Sequence, residues 1–428
     1  MQGGMGSGVE FLRGAPAGVG VGSLAFAPAE GDHCMTSIYG RLAETGETVT
    51  VTLDGARIAA VEGREDGPLA GSVLGGPDVW VAPGFLDLQV NGYGGHDFNH
   101  GARADAGEVS TELEPIYALA ARAGTPLLCP TVTTNSRARM VAALRALAQV
   151  LDANPDLDAA TPAIHVEGPY LSSEDGPRGA HLKEEIRDPD WDEFQALQEA
   201  AGGRVRLLTL APERPGALEF IERLVGAGVV VALGHTGAEP ETIRDAVQAG
   251  ARVSTHLGNG AHAQIRRHPN YIWEQLAHDG LTTTAIADGH HLPAAVVKVI
   301  ARVKGAARMA LVSDAVSLGG LPPGRYEGGR LEILPTGKIV LADTPYLFGA
   351  GHLLDSCVAN TLRFTGCTLA EAVRMASTTP AEILGLGVHK GSVAPGFDAD
   401  LTLFRLPGGE GPLEIVATLT AGKVAYRA

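Results

Sequence analysis

Short apolar segments alternate with segments of helical periodicity along the middle of this chain. Examples of the helical segments are "NSRARMVAALRALAQVL" and "PETIRDAVQAG". Strand-helix units in succession predict an α/β fold, a (β/α)8 TIM-like barrel, over residues 83–387. The eight predicted strands are Phe85–Val90, Pro126–Cys129, Ala163–Val166, Val205–Leu210, Val229–Leu233, Arg252–Thr255, Thr282–Ala287 and Arg308–Val312.

The two ends of the chain are rich in short strands separated by Gly and Asp turns, including "TVTVTL" near the start and "GSVAPGFDADLTLFRL" near the end. They predict that residues 34–82 and 388–428 pair into one small β-sandwich domain. Residues 1–33 are rich in glycine, which interrupts their apolar part, so we expect a flexible N-terminal extension and not a signal peptide. The segment "GGLPPGRYEGGR" is predicted to be a loop after the eighth strand.

Polar side chains of the metal-binding type follow three of the predicted strands. Glu167 ends the third strand in "HVEGPY", His235 follows the fifth and His256 follows the sixth. The carboxyl ends of all strands in such a barrel meet at one rim, so these side chains are expected to lie together. One carboxylate and two imidazoles suit a divalent ion and leave a coordination position open for water. The sequence therefore predicts a divalent metal ion at this rim, with zinc expected first and iron, cobalt or manganese as alternatives.

Asp314, in "LVSDA", follows the eighth strand. A carboxylate at that rim can take a proton from the attacking water and return it to the leaving group. The alternative is that Asp314 caps a following helix. We expect the catalytic role.

Composition excludes several other classes of protein. The 428 residues carry a formal net charge of -16, which disfavours binding to nucleic acid or to an anionic membrane surface. No apolar run is long enough to span a bilayer. The four cysteines form no C-x-x-C pair, as is typical of reduced thiols, so we expect a cytoplasmic protein.

The chain resembles the amidohydrolase superfamily and, within it, the N-acetylglucosamine-6-phosphate deacetylases. The resemblance is carried by "APGFLDLQVNGYGG", "HVEGPYL", "ALGHTGA", "THLGNGAH", "IADGHHL", "LVSDA", "TTPAEILGL" and "GSVAPGFDADLTLF". Many amidohydrolases have a His-x-His pair after the first strand that holds a second metal, whereas this chain has Gln89 and Asn91. The resemblance thus implies a hydrolase barrel with one divalent metal ion per subunit, held by Glu167, His235 and His256.

The resemblance also implies roles for individual residues. Asp314 matches the catalytic aspartate of the family, and His291 matches the histidine that polarises the acetamide carbonyl. The positions expected to contact the substrate are His181, Ala180, Asn259, Gly260, Arg267, Asp288, Leu347, Phe348 and Gly349.

The phosphate site is the point at which this chain departs from the family pattern. Arg267 matches an arginine that the neighbouring subunit contributes, which implies a homodimer, and Arg266 is an alternative. The surrounding "GNGAHAQIRRHPN" lacks the usual Asn-Ala-Met and Arg-Glu-Pro-Gly, and His262, His268 and Trp273 are additional groups. The resemblance implies hydrolysis of the N-acetyl group of N-acetylglucosamine 6-phosphate to glucosamine 6-phosphate and acetate. The alternatives are the galactosamine 6-phosphate isomer, an unphosphorylated amino sugar, or a catalytically silent sugar-binding barrel.

Overall fold

The computed structural model describes residues 37–64, 73–99, 109–344 and 346–428. The predicted extension over residues 1–33 lies outside these ranges. In chain order, the strands are β1 (Ser37–Leu42), β2 (Thr48–Asp54), β3 (Arg57–Gly63), β4 (Val73–Pro83), β5 (Leu86–Val90), β6 (Gly92–Tyr93), β7 (His96–Asp97), β8 (Leu127–Thr133), β9 (Ile164–Glu167), β10 (Val205–Leu210), β11 (Val230–Leu233), β12 (Val253–Ser254), β13 (Thr282–Ala285), β14 (Met309–Leu311), β15 (Gly324–Tyr326), β16 (Leu331–Ile333), β17 (Ile339–Leu341), β18 (Leu401–Arg405), β19 (Glu414–Thr420) and β20 (Lys423–Arg427).

The helices alternate with the strands through the middle of the chain. They are α1 (Val109–Arg122), α2 (Arg137–Ala153), α3 (Pro155–Ala159), α4 (Trp191–Ala200), α5 (Ala217–Gly226), α6 (Pro240–Ala249), α7 (Tyr271–Ala277), α8 (Ala294–Lys304), α9 (Leu354–Thr365), α10 (Leu369–Ala376) and α11 (Thr378–Ile383). Among the described residues, each helix is either too short or too polar to cross a bilayer.

Within the described ranges, eight parallel strands form the barrel in the order β5, β8, β9, β10, β11, β12, β13 and β14. The ring is closed between its first and last strands, because Val90 bridges Ala315 and the Asp314 N–H donates to the Gln89 carbonyl over 2.9 Å. The strands are short and apolar because both of their faces are covered, one by the barrel interior and the other by the helices. The predicted (β/α)8 fold is confirmed, and the carboxyl ends of its strands form one rim.

The two chain ends pair in a single sheet. Its order over the described residues is β20, β19, β18, β4, β1, β2, β3. The central strand β4 is parallel to β1 and antiparallel to β18, and it pairs Val81 with Leu42 on one side and with Leu403 on the other. The predicted pairing of the chain ends is confirmed. The domain boundaries at residues 83 and 387 stay a prediction.

The segment that follows the eighth strand differs from the prediction. Part of "GGLPPGRYEGGR" forms strand β15, which pairs with β16, and β16 pairs in turn with β17. The alternation in Leu331, Glu332 and Ile333 buries the two apolar side chains against Leu318 and Ile339. The glycines and prolines that precede this alternation indicate a loop, but the buried apolar pairs are sufficient to order a small sheet.

Candidate active site

Glu167 is the last residue of β9 and is fully enclosed at the rim of the barrel. The strand stops there because Gly168 has φ +83°, and a Cβ atom at this position would lie 2.2 Å from Thr134 Oγ1. Only glycine adopts this positive φ readily and also leaves room for Thr134. The Glu-Gly-Pro sequence therefore turns the chain away while the carboxylate stays above the barrel.

His235 and His256 approach the same carboxylate oxygen from the next part of the rim. Their Nε2 atoms lie 3.2 and 3.1 Å from Glu167 Oε1 and 3.1 Å from each other. His235 Nδ1 is 2.8 Å from the Pro177 carbonyl, which accepts only, so Nδ1 carries a proton and this bond directs Nε2 toward Glu167.

A positive charge, either a proton or a cation, stabilises the close approach of these three atoms. Burial disfavours the ionised carboxylate, but the interactions with His235 and His256 outweigh it and hold the pKa of Glu167 well below its ordinary value. Burial also disfavours a charged His256, yet Glu167 raises its pKa. Four-coordinate zinc with bonds of about 2.0–2.1 Å places its ligand atoms about 3.3 Å apart, close to the separations here. The residues present therefore fit a divalent cation, and they are the group with metal-ligand geometry among the described residues.

The backbone at three of the functional positions is strained. His235, His256 and Asp314 have φ values of +51°, +27° and +52°, in the left-handed region that residues other than glycine rarely adopt. Each residue lies just after a barrel strand. Strain of this kind clusters at functional sites, where the surrounding fold holds the side chain in a required direction.

Gln89 and Asn91 connect the two carboxylates. Gln89 Nε2 lies 2.8 Å from Glu167 Oε1 and 3.2 Å from Asp314 Oδ1, and Asn91 Nδ2 donates to the same Asp314 oxygen over 2.7 Å. Burial, followed by the charge of Glu167, raises the pKa of Asp314. Asp314 is therefore suited to accept and hold a proton beside the metal ligands.

Comparison with known proteins assigns the chain to a family. Residues 80–425 match the model of the amidohydrolase family. The chain belongs to the amidohydrolases. It is 30% identical to the N-acetylglucosamine-6-phosphate deacetylase of Bacillus subtilis, over 85% of this chain and 89% of that protein. It is also 33% identical to the N-acetylgalactosamine-6-phosphate deacetylase of Escherichia coli O157:H7, over 79% of this chain and 86% of that protein.

A solved structure gives the same relationship. A point mutant of N-acetyl-D-glucosamine-6-phosphate deacetylase from Mycobacterium smegmatis, in complex with N-acetyl-D-glucosamine-6-phosphate, superposes with a TM-score of 0.80. It is 29% identical, and the match covers 92% of this chain and 100% of that one. The fold and the metal dependence of an amidohydrolase therefore apply to this chain.

His291 and Asp288 form a second polar pair in this amidohydrolase. Asp288 Oδ2 lies 2.8 Å from His291 Nδ1, and Asp288 Oδ1 accepts the N–H groups of His290 and His291. Burial opposes ionisation of Asp288, but its bonds with His291 outweigh it and lower its pKa to about 2. The Asp288 carboxylate thus holds the His291 ring at Nδ1 and fixes its orientation.

Two of the predicted substrate-binding loops meet at His235. His181 Nε2 lies 3.2 Å from His235 Nε2 and 3.8 Å from Glu167 Oε2, and burial is the main cause that lowers its pKa to about 3. Ala180, beside it, is exposed. On the other loop, a Cβ atom at Gly260 would lie only 2.6 Å from His235 Nδ1, while Asn259 Nδ2 donates to the His256 carbonyl.

The remaining predicted positions lie farther out. Arg267 is exposed, and its carbonyl accepts from Asn270, as does that of Arg266. Leu347, Phe348 and Gly349 run from the small sheet back to the rim, where the Ala350 N–H donates to the Asp314 carbonyl over 3.0 Å. The contacts of these residues with the substrate stay predictions.

The sequence places Gln89 and Asn91 at the rim, where a His-x-His pair stands in many amidohydrolases, but it does not predict that they join Glu167 to Asp314. Gln89 lies on β5 and Asn91 directly follows its end, and their spacing of two residues is the signal for a shared function, since both side chains reach Asp314. The Pro177 carbonyl that orients His235 gives no sequence signal, since any residue has a carbonyl.

Proposed function

We propose that this amidohydrolase removes the N-acetyl group of N-acetylglucosamine 6-phosphate and gives glucosamine 6-phosphate and acetate. The observation that carries the proposal is the convergence of Glu167 Oε1, His235 Nε2 and His256 Nε2 within 3.2 Å of one another, with Asp314 joined to the same carboxylate through Gln89. The relatives named for this reaction support the choice of substrate.

Each group in the site has a chemical task. When bound, a divalent metal lowers the pKa of a water and polarises the acetyl carbonyl. Asp314 removes a proton from the attacking water and later delivers it to the departing amine nitrogen. His291 donates from Nε2 to the carbonyl oxygen as negative charge develops there, and Asp288 orients the ring through Nδ1.

The metal, the assembly and the location are further parts of the proposal. Zinc is the metal we propose, because one carboxylate and two imidazoles suit it, with iron, cobalt or manganese as alternatives. In a homodimer, the exposed Arg267, or Arg266, would bind the phosphate of the substrate in the neighbouring subunit. The described cysteines Cys129, Cys357 and Cys367 are free thiols, in keeping with a cytoplasmic enzyme.

A second substrate is favoured by a specific observation. The similarity to N-acetylgalactosamine-6-phosphate deacetylase is at 33% identity, within the same range as the glucosamine enzymes. The two sugars differ only in the orientation of one hydroxyl group, so small changes in the pocket decide between them. The altered segment "GNGAHAQIRRHPN" lies beside the site at His262 and Gly260.

The test is acetate release from N-acetylglucosamine and N-acetylgalactosamine, each with and without the 6-phosphate, before and after chelation. We expect turnover to be highest on N-acetylglucosamine 6-phosphate and to be abolished by the chelator. Equal rates on phosphorylated and plain sugars would remove the phosphate from the proposal. Absence of turnover on all four would support a sugar-binding barrel instead.

A further inference from the structure

His262 connects two loops at the mouth of the metal centre. Its backbone N–H donates to the Tyr271 hydroxyl over 2.8 Å, and that hydroxyl lies 3.0 Å from His262 Nδ1. The hydroxyl proton is therefore available to Nδ1, which leaves Nε2–H to donate to the Glu174 carboxylate at 3.0 Å. Tyr271 begins helix α7 and is buried in the main core, so it fixes His262 to the body of the protein.

Glu174 belongs to a turn that contacts the metal ligand His235. The turn, residues 174–181, is held together by the Arg178 N–H, which donates to the Glu174 carbonyl, and by the Arg178 guanidinium, which donates to the His181 carbonyl. Its Pro177 carbonyl accepts Nδ1–H of His235 over 2.8 Å. Movement of the turn would therefore remove the acceptor that fixes the tautomer and direction of that imidazole.

Glycines allow the two loops to interlock. A Cβ atom at Gly176 would lie 2.9 Å from His262 Cα and 3.1 Å from the Ala261 carbonyl oxygen. Gly179 and Gly260 pack against the His235 ring, one from each loop. Cβ atoms added at these positions would lie 3.1 and 2.6 Å from the ring. The position of the His235 ring thus depends on how closely the loops approach each other.

We propose that His262 is a positioning residue: together with Glu174 and Tyr271 it fastens the turn 174–181 to the loop after β12, and so keeps His235 directed at the metal. This inference rests on the proposed function in one respect, that the site holds a divalent metal ion. His262 does not touch the reacting atoms.

The expected effect is moderate. The side chain of Glu174 is 67% exposed, and exposed ion pairs stabilise little on their own. The hydrogen bonds between His262 and the buried Tyr271 hydroxyl add to the stabilisation from this ion pair. We therefore expect loss of the His262 side chain to weaken zinc binding by about three- to tenfold, less than loss of a group bonded directly to a ligand.

The experiment measures the zinc dissociation constant of the full chain by competition with a chromogenic chelator. His262→Ala, Glu174→Ala and Tyr271→Phe are expected to raise it, while Glu174→Gln, which keeps an acceptor oxygen, stays near wild type. His268→Ala is the matched control, an exposed histidine on the same loop. Excess zinc is expected to restore the rate of acetate release in each variant, which a misfolded protein would not allow.

Unchanged zinc affinity in both His262→Ala and Glu174→Ala would overturn the inference, and so would an equal loss in His268→Ala. Glu174 is exposed, so its variant tests the inference even if His262→Ala fails to fold. A wild-type protein that binds no zinc and releases no acetate would instead overturn the proposed function. Normal wild-type behaviour with unaffected variants would overturn the inference alone.

Discussion

The pKa values of two carboxylates in this site are displaced in opposite directions. The interactions with His235 and His256 keep the pKa of Glu167 low, whereas burial and the charge of Glu167 raise that of Asp314. Gln89 donates to both and holds them at a fixed relation. Such a division suits a metal ligand that stays ionised beside an acid-base group that exchanges protons.

The variant Asp314→Asn tests that division. An amide has nearly the same shape and still accepts from Asn91, but it cannot take a proton from water. We expect kcat for acetate release to fall by about 10²- to 10⁴-fold, with metal content unchanged. Steady-state kinetics and metal analysis on the same sample measure both. A variant that keeps full metal and turns over near the wild-type rate would show that another group moves the proton.

The absence of a side chain at Gly260 leaves room for the His235 ring. Gly260→Ala is expected to push the His235 ring away from its position, because the new Cβ would lie 2.6 Å from Nδ1. Metal affinity should fall by about tenfold or more. Gly55→Ala is the control, since Gly55 has nearly the same φ, +55° against +54°, but a Cβ atom added there would meet no neighbour within 4 Å among the described residues. Equal metal affinity in the two variants would show that the ring is not confined by this loop.

Among the elements, β18 joins the terminal sheet to the barrel through a buried hydroxyl. Thr402 Oγ1 donates to the Gly124 carbonyl over 2.6 Å and accepts the N–H of Phe85 over 3.2 Å. Phe85 directly precedes the first barrel strand. Packing at the N-terminal side of the barrel thus depends on a strand from the far end of the chain.

The variant Thr402→Val leaves a buried carbonyl and a buried N–H without their partner. We expect the free energy of unfolding to fall by about 1–3 kcal/mol, measured by urea titration. Thr50→Val is the matched control, because Thr50 is buried in the same sheet and its hydroxyl has no partner in the part of the chain that the structure describes. That change should be neutral or stabilising. Similar effects of the two substitutions would show that the Thr402 bonds do not couple sheet and barrel.

For the whole molecule, the sequence predicts the barrel well because its strands and helices are set by local periodicity. The same rule places Glu167, His235 and His256 at one rim, since every strand of the barrel ends there. The prediction of a loop after β14 was wrong for β15, because turn residues dominate that segment and its apolar partners in β16 and β17 are few.

Contacts between loops could not be predicted in this way. His262 and Glu174 are 88 residues apart, and their hydrogen bond depends on how far two loops extend over the rim. The role of Pro177 is carried by a backbone carbonyl, and that of Gly260 by the absence of a side chain. Neither has a pattern that can be recognised before the fold is known.

The central claim is that one divalent cation is held by Glu167, His235 and His256. The most direct measurement is the molar ratio of bound metal to chain in the wild-type protein and in His256→Ala. Both proteins are dialysed and then analysed by inductively coupled plasma mass spectrometry. We predict about one ion per chain in the wild type and nearly none in the variant. Equal loading of the two proteins, or a metal-free wild type that releases acetate at full rate, would contradict the account.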